Sequence, residues 1–157
     1  MPRTVVDSEA GLEALGGEVG ALLGAADVVF LAGPLGAGKT TFARGLVRAA
    51  GHAGTVKSPT FTLVEPYEAL EPPIYHFDLY RIADPEELEL VGFRDYLARG
   101  IVLIEWPERL GKDALQPDLA VDIVPTPGGR EVTLEARTSR LDPSQLQRIT
   151  DNFTKLT

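Results

Sequence analysis

The sequence predicts a single α/β domain over residues 1–157, a three-layer αβα arrangement with a mixed, partly parallel sheet and antiparallel hairpin additions. Three observations carry that prediction. The apolar run Val28-Val29-Phe30-Leu31-Ala32 leads through a glycine-rich turn into a helical stretch, as a buried parallel strand feeding a helix does. A second apolar run, Ile101-Val102-Leu103-Ile104, ends on Glu105. Leu119 to Val124 and Glu131 to Ala136 flank Thr126-Pro127-Gly128-Gly129 as a hairpin.

Thr4-Val5-Val6 reads as a short strand. Asp7 or Ser8 caps a helix with Leu12, Leu15, Val19, Leu22 and Leu23 on one face, against the propensity of glycines at 11, 16, 17 and 20. Thr41 to Ala50 is the next helix, with Phe42, Leu46 and Val47 on one face and Gly51 as its C-terminal cap. Thr62-Leu63-Val64-Glu65 and Ile74 to Leu79 read as antiparallel strands joined through Glu71-Pro72-Pro73. Asp84-Pro85-Glu86-Glu87 starts a helix: a cap, a proline at the first helical position, acids in the first turn. That helix breaks near Gly92, resumes to Arg99 and ends at Gly100, and Asp142-Pro143 starts a short C-terminal helix.

The turn after the first apolar run is Gly33-Pro34-Leu35-Gly36-Ala37-Gly38-Lys39-Thr40, the spacing of a phosphate-binding P-loop. Glycines let backbone N–H groups from Gly36 to Thr40 converge on one point, and the following helix adds its positive end. Lys39 would sit between the outer phosphates and Thr40 would offer its hydroxyl to Mg²⁺. The chain has only four lysines (39, 57, 112 and 155) and otherwise uses arginine, which marks this slot as wanting a compact point charge. The alternative is a glycine-rich turn with an incidental lysine; strand before and helix after favour the phosphate loop and a P-loop NTPase domain.

Composition narrows the classes. There is no cysteine, hence no disulfide framework or thiolate metal site. No apolar run approaches ~20 residues, so no membrane span is expected. The first seven residues lack the apolar core of a signal peptide; a cytoplasmic location is the expectation. A net charge of −8 and a pI near 4.7 argue against a large nucleic-acid-binding face.

The remaining chemistry lies at strand ends. Ile101 to Glu105 resembles a Walker B strand with Glu where Asp is commoner. An acid at the C-terminal tip of a parallel strand faces the ligand crevice of an α/β sheet, so Glu105 would hold Mg²⁺ directly or through water. In His76-Phe77-Asp78-Leu79-Tyr80-Arg81, residues 76, 78 and 80 share one face. Asp78 would be a second Mg²⁺-associated carboxylate or would orient the attacking water. His76 reads as a structural group, and Arg81 suits either phosphate or the acidic stretch at 84–87. Lys57-Ser58-Pro59-Thr60-Phe61-Thr62 is either a switch segment, with Thr60 as its hydroxyl, or an ordinary turn. Trp106, the one tryptophan, would cover the site or anchor the core.

Together, residues 33–42, Val56 to Val64, Tyr75 to Arg81 and Glu105-Trp106-Pro107-Glu108-Arg109 resemble the bacterial TsaE family, formerly YjeE, in order and spacing. Pro34 departs from it, since the family often has Asp there. The resemblance implies an ATPase subunit in the making of threonylcarbamoyladenosine in tRNA, working with TsaD and TsaB and meeting tRNA only through them. It implies that Gly36, Ala37, Gly38, Lys39, Thr40 and Thr41 bind ATP, that Thr40, Glu105 and Asp78 serve Mg²⁺, and that Thr60, Asp78, Glu105 and Lys39 serve catalysis. Glu9 and the turn Gly129-Arg130-Glu131 resemble positions near base and ribose.

Two other classes compete. A small-molecule or nucleotide kinase would want an arginine-rich lid, but Arg109, Arg130, Arg137 and Arg140 are scattered. A GTPase would want Asn-Lys-x-Asp and Asp-x-x-Gly, and neither string occurs.

Overall fold

The computed structural model describes residues 1–111 and 115–156. Strands β1 (Arg3–Val6), β2 (Val28–Ala32), β3 (Val64–Tyr67), β4 (Ile74–Asp78), β5 (Ile101–Glu105), β6 (Leu119–Thr126) and β7 (Gly129–Ala136) form one sheet in the order β1-β7-β6-β2-β5-β4-β3. The four inner strands β6, β2, β5 and β4 are parallel, while β3 and the β7–β1 edge pair antiparallel. The helices are α1 (Glu9–Gly20), α2 (Lys39–Ala49), α3 (Glu87–Leu90), α4 (Phe93–Arg99) and α5 (Pro143–Leu156).

Strand alternation divides the apolar residues between two cores. Val29, Leu31, Ile101 and Leu103 pack with Leu15, Phe42 and Leu46 of α1 and α2. Val28, Val102, Ile104, Tyr75 and Phe77 pack with Leu88 and Phe93 of α3 and α4. The sheet is therefore sandwiched, as expected for three layers. Parity then places the polar residues. His76 and Asp78 alternate with Ile74, and Glu105 with Leu103, so all three face the α2 layer.

Local departures from the sequence reading have local causes. Helix α2 starts at Lys39 rather than Thr41, because Gly38 takes a left-handed φ of 111° and serves as the N-cap. Strand β3 is displaced from 62–65 to Val64–Tyr67. Leu63 adopts φ 71° and its N–H bonds the Pro59 carbonyl at 2.7 Å, closing a turn that takes Thr62 out of the sheet. The proline in β3, Pro66, lies on an edge strand that can spare its N–H. The acidic stretch caps itself: Glu87 Oε2 accepts the N–H of Ala83 and Asp84 at 2.7 and 2.9 Å. Only one turn, α3, follows before Gly92. Helix α5 is longer than its expected short form, at 14 residues.

The glycines of α1 oppose a helix by propensity and suit it by packing. Ser8 caps α1, accepting from the Gly11 N–H at 3.0 Å. Helices α1 and α2 then cross backbone to backbone. A Cβ on Gly16 would stand 2.2 Å from the Phe42 carbonyl oxygen, and one on Gly45 would stand 1.9 Å from that of Glu13. Arg44 and Arg48 bridge Glu13 across the same crossing. Helix propensity alone makes Gly45→Ala favourable by about 1 kcal/mol. The backbone overlap outweighs it, so the substitution should destabilise the fold by a net ~2 kcal/mol or more. Urea unfolding midpoints check this, and a stabilised variant would contradict the crossing.

Candidate functional site

The C-terminal ends of β4 and β5 meet the N-terminus of α2. In the parallel pairing, Asp78 is the register partner of Glu105, so two carboxylates stand side by side on the α2 face. Both are buried, at 4% and 2% exposure. Glu105 accepts from the Thr40 hydroxyl on both oxygens, at 3.2 and 3.1 Å, and its Oε2 meets His76 Nε2 at 2.6 Å. Asp78 Oδ2 accepts from the Thr60 hydroxyl at 2.8 Å, and Oδ1 from the Tyr80 N–H at 2.9 Å. Ser58 Oγ lies 2.7 Å from Thr60 Oγ1. The segment 57–62 is thus a turn by its hydrogen bonds and still delivers Thr60 to the site.

Lys39 occupies the first turn of α2. Its Nζ donates to the Gly33 carbonyl at 2.6 Å and lies 3.4 Å from the centre of the Trp106 ring. Burial lowers the Lys39 pKa from the ordinary lysine value, while the charges of Glu105, Glu108 and Asp78 pull it back up. Trp106 sits in the left-handed region at φ 60°, rare for a residue with a large side chain. That conformation turns the chain sharply after Glu105 and lays the ring over the lysine, with Tyr80 against it at 4.9 Å between ring centres. Trp106 therefore covers the site and also packs on the second core.

The loop between β2 and α2 is held from the far edge of the sheet. Arg130, on β7, donates from Nε to the Ala37 carbonyl at 2.7 Å and from a terminal nitrogen to that of Gly36 at 3.4 Å. The Gly38 N-cap has no side chain to engage the first amides of α2, and a helix N-terminus of this kind attracts anions. A cavity of about 720 Å³ joins these parts. Its walls include Glu9, Gly36, Ala37, Gly38, Lys39, Thr40, Thr41, Thr60, Asp78, Glu105, Gly129 and Arg130. The residues singled out from the sequence for nucleotide, metal or catalysis line this one space, except Glu131 of the 129–131 turn. Arg81 lines it too, its guanidinium 4.3 Å from the centre of the exposed Phe61 ring.

His76, read from the sequence as a structural group, is the neighbour that joins the site through Glu105. It is fully buried and holds Glu105. The signal was present: His76 and Asp78 share a strand face, two residues apart. What the sequence lacked was the partner strand's register.

The donors suit a hard cation. Thr40, Glu105 and Asp78 offer only oxygen, and the first two already lie within hydrogen-bonding distance of each other. Among the described residues, no cluster of three His, Cys, Asp or Glu side chains forms a preformed metal cage. The set fits Mg²⁺, which keeps several waters and leans on one or two carboxylates plus phosphate oxygens.

Comparisons with known proteins agree with this geometry. A tRNA threonylcarbamoyladenosine biosynthesis protein TsaE from Haemophilus influenzae is 52% identical over 114 residues, 71% of this chain and 72% of that protein. The protein of the same description from Bacillus subtilis is 37% identical over 119 residues, 74% of this chain and 73% of its own. The crystal structure of Bacillus subtilis YdiB superposes with a TM-score of 0.71 at 27% identity, covering 98% of this chain and 93% of the other. The family model described as threonylcarbamoyl adenosine biosynthesis protein TsaE matches residues 6–132. That span holds the glycine loop, both carboxylates and the arginine that clamps the loop, and the chain belongs to the TsaE family.

Proposed function

We propose that this chain binds and slowly hydrolyses Mg²⁺·ATP, and that it serves as the accessory subunit of a TsaD–TsaB assembly making threonylcarbamoyladenosine in tRNA. The observation carrying this reading is the meeting of the α2 N-terminus, with Lys39 and Thr40, and the register-paired Asp78 and Glu105 in one cavity. Family membership supports the pathway, since its members carry the name of threonylcarbamoyladenosine biosynthesis proteins.

Each residue has a role on this reading. The amides of residues 36–41 cradle the phosphates. Lys39 exchanges the Gly33 carbonyl for an outer phosphate oxygen. Thr40 and Glu105 hold Mg²⁺, which neutralises charge on the outer phosphates. Asp78 has its bond to Thr60 rather than to Thr40, which favours it as the group that orients water. Arg130 braces the loop, while Glu9 and Gly129 border the space for base and ribose. Because the chain carries −8 net charge, tRNA is held by the partners. No helix among the described residues is long and apolar enough to cross a membrane, in keeping with work in the cytoplasm.

A kinase for a small molecule would use the same loop. Of the two arginines lining the cavity, Arg130 is engaged on loop carbonyls and Arg81 lies over the Phe61 ring, so no arginine cluster stands over the cavity among the described residues. An acceptor that accelerated ATP consumption would favour the kinase.

Lys39→Ala should abolish ATP binding or hydrolysis, measured by calorimetry and phosphate release; unchanged turnover would sink the site. Glu105→Ala should lower Mg²⁺-dependent hydrolysis by roughly 10²-fold and nucleotide affinity far less. Equal hydrolysis at limiting Mg²⁺ would move the metal to Asp78 or to solvent. The emission of Trp106 should change when ATP draws Lys39 off its ring, and Lys39→Ala should remove that response. In cells, depletion should lower threonylcarbamoyladenosine in tRNA, with rescue by wild type and not by Lys39→Ala.

A further inference from the structure

We propose that His76 is a positioning residue for the cation site: its ring fixes Glu105 so that the carboxylate stays aimed at Thr40. This rests on the Mg²⁺·ATP reading above. His76 is the register partner of Leu103, one alternation below Glu105 on the same face, so the ring rises beneath the Glu105 carboxylate. It is completely buried, with Nε2 at 2.6 Å from Glu105 Oε2. Its Nδ1 has no hydrogen-bond partner among the described residues.

A carboxylate oxygen accepts, so the ring presents Nε2–H to Glu105, and Nδ1 is left without a partner. A buried ring nitrogen without a partner is unfavourable, and a phenyl ring would fill the same space without that defect. The side-chain contact that favours imidazole over phenyl here is the one to Glu105. Glutamate has one more rotatable bond than the aspartate commoner at such strand ends. Its carboxylate therefore needs a second anchor besides the Thr40 hydroxyl, which must also serve the metal. Hydrogen-bond partners that orient a metal ligand in this way change metal affinity by about 10- to 100-fold.

The test measures ATP affinity by calorimetry in Mg²⁺ and in EDTA. His76→Phe should lose about tenfold or more of the Mg²⁺-dependent gain in affinity while keeping the EDTA value. His76→Gln, whose side-chain amide can donate from the place of Nε2, should recover most of that gain. Wild-type Mg²⁺ dependence in His76→Phe would overturn the proposal, as would equal losses in both variants. A wild type whose affinity ignores Mg²⁺ would overturn the cation site itself, a separate result. Should His76→Phe fail to fold, the nitrogen-15 spectrum of the wild-type imidazole decides. A proton on Nε2, its signal moving on addition of Mg²⁺·ATP, supports the proposal. A proton on Nδ1 with bare Nε2 contradicts it.

Discussion

The register between β4 and β5 is the constraint on which the site depends. It places Asp78 beside Glu105 at the tips of two parallel strands. A slip of one residue would turn one carboxylate into the core formed by Tyr75, Phe77 and Phe93. Burial on both faces of these strands makes the register strongly specified, because every alternate residue has a core to fill. The same apolar packing that holds the sheet together therefore sets the spacing of the paired acids.

A second constraint aims the glycine loop at those acids. Helix α2 could satisfy its apolar face at several tilts, but the backbone contact with α1 at Gly16 and Gly45 narrows them. The Arg130 side chain then ties the loop to the β6–β7 hairpin, bonding two of its carbonyls. Thr40 consequently meets Glu105 within hydrogen-bond distance, and Lys39 lies between the loop and Trp106.

Much of this was legible in the chain. The order of strand, glycine loop and helix is as read, and Ile101 to Glu105 is a buried strand ending in an acid. Asp78 and Thr60, singled out by type and place, are joined by one hydrogen bond. Three things were not legible. Propensity counted the α1 glycines against a helix because it does not see α2. The position of β3 depended on Leu63 taking a left-handed turn, which nothing in its side chain signals. His76 looked structural because its partner lies 29 residues away, and only the strand pairing brings the two together. The first and third depend on long-range packing that local preference does not see, and the second on a local turn.

The central claim is that the α2 N-terminus and the paired carboxylates form one Mg²⁺·nucleotide site. A crystal structure with Mg²⁺ and a non-hydrolysable ATP analogue tests it most directly. The account predicts the terminal phosphate on Lys39, Mg²⁺ between Thr40 and Glu105, and Asp78 facing an ordered water. Nucleotide bound away from the glycine loop, or Mg²⁺ held without Glu105, would contradict it.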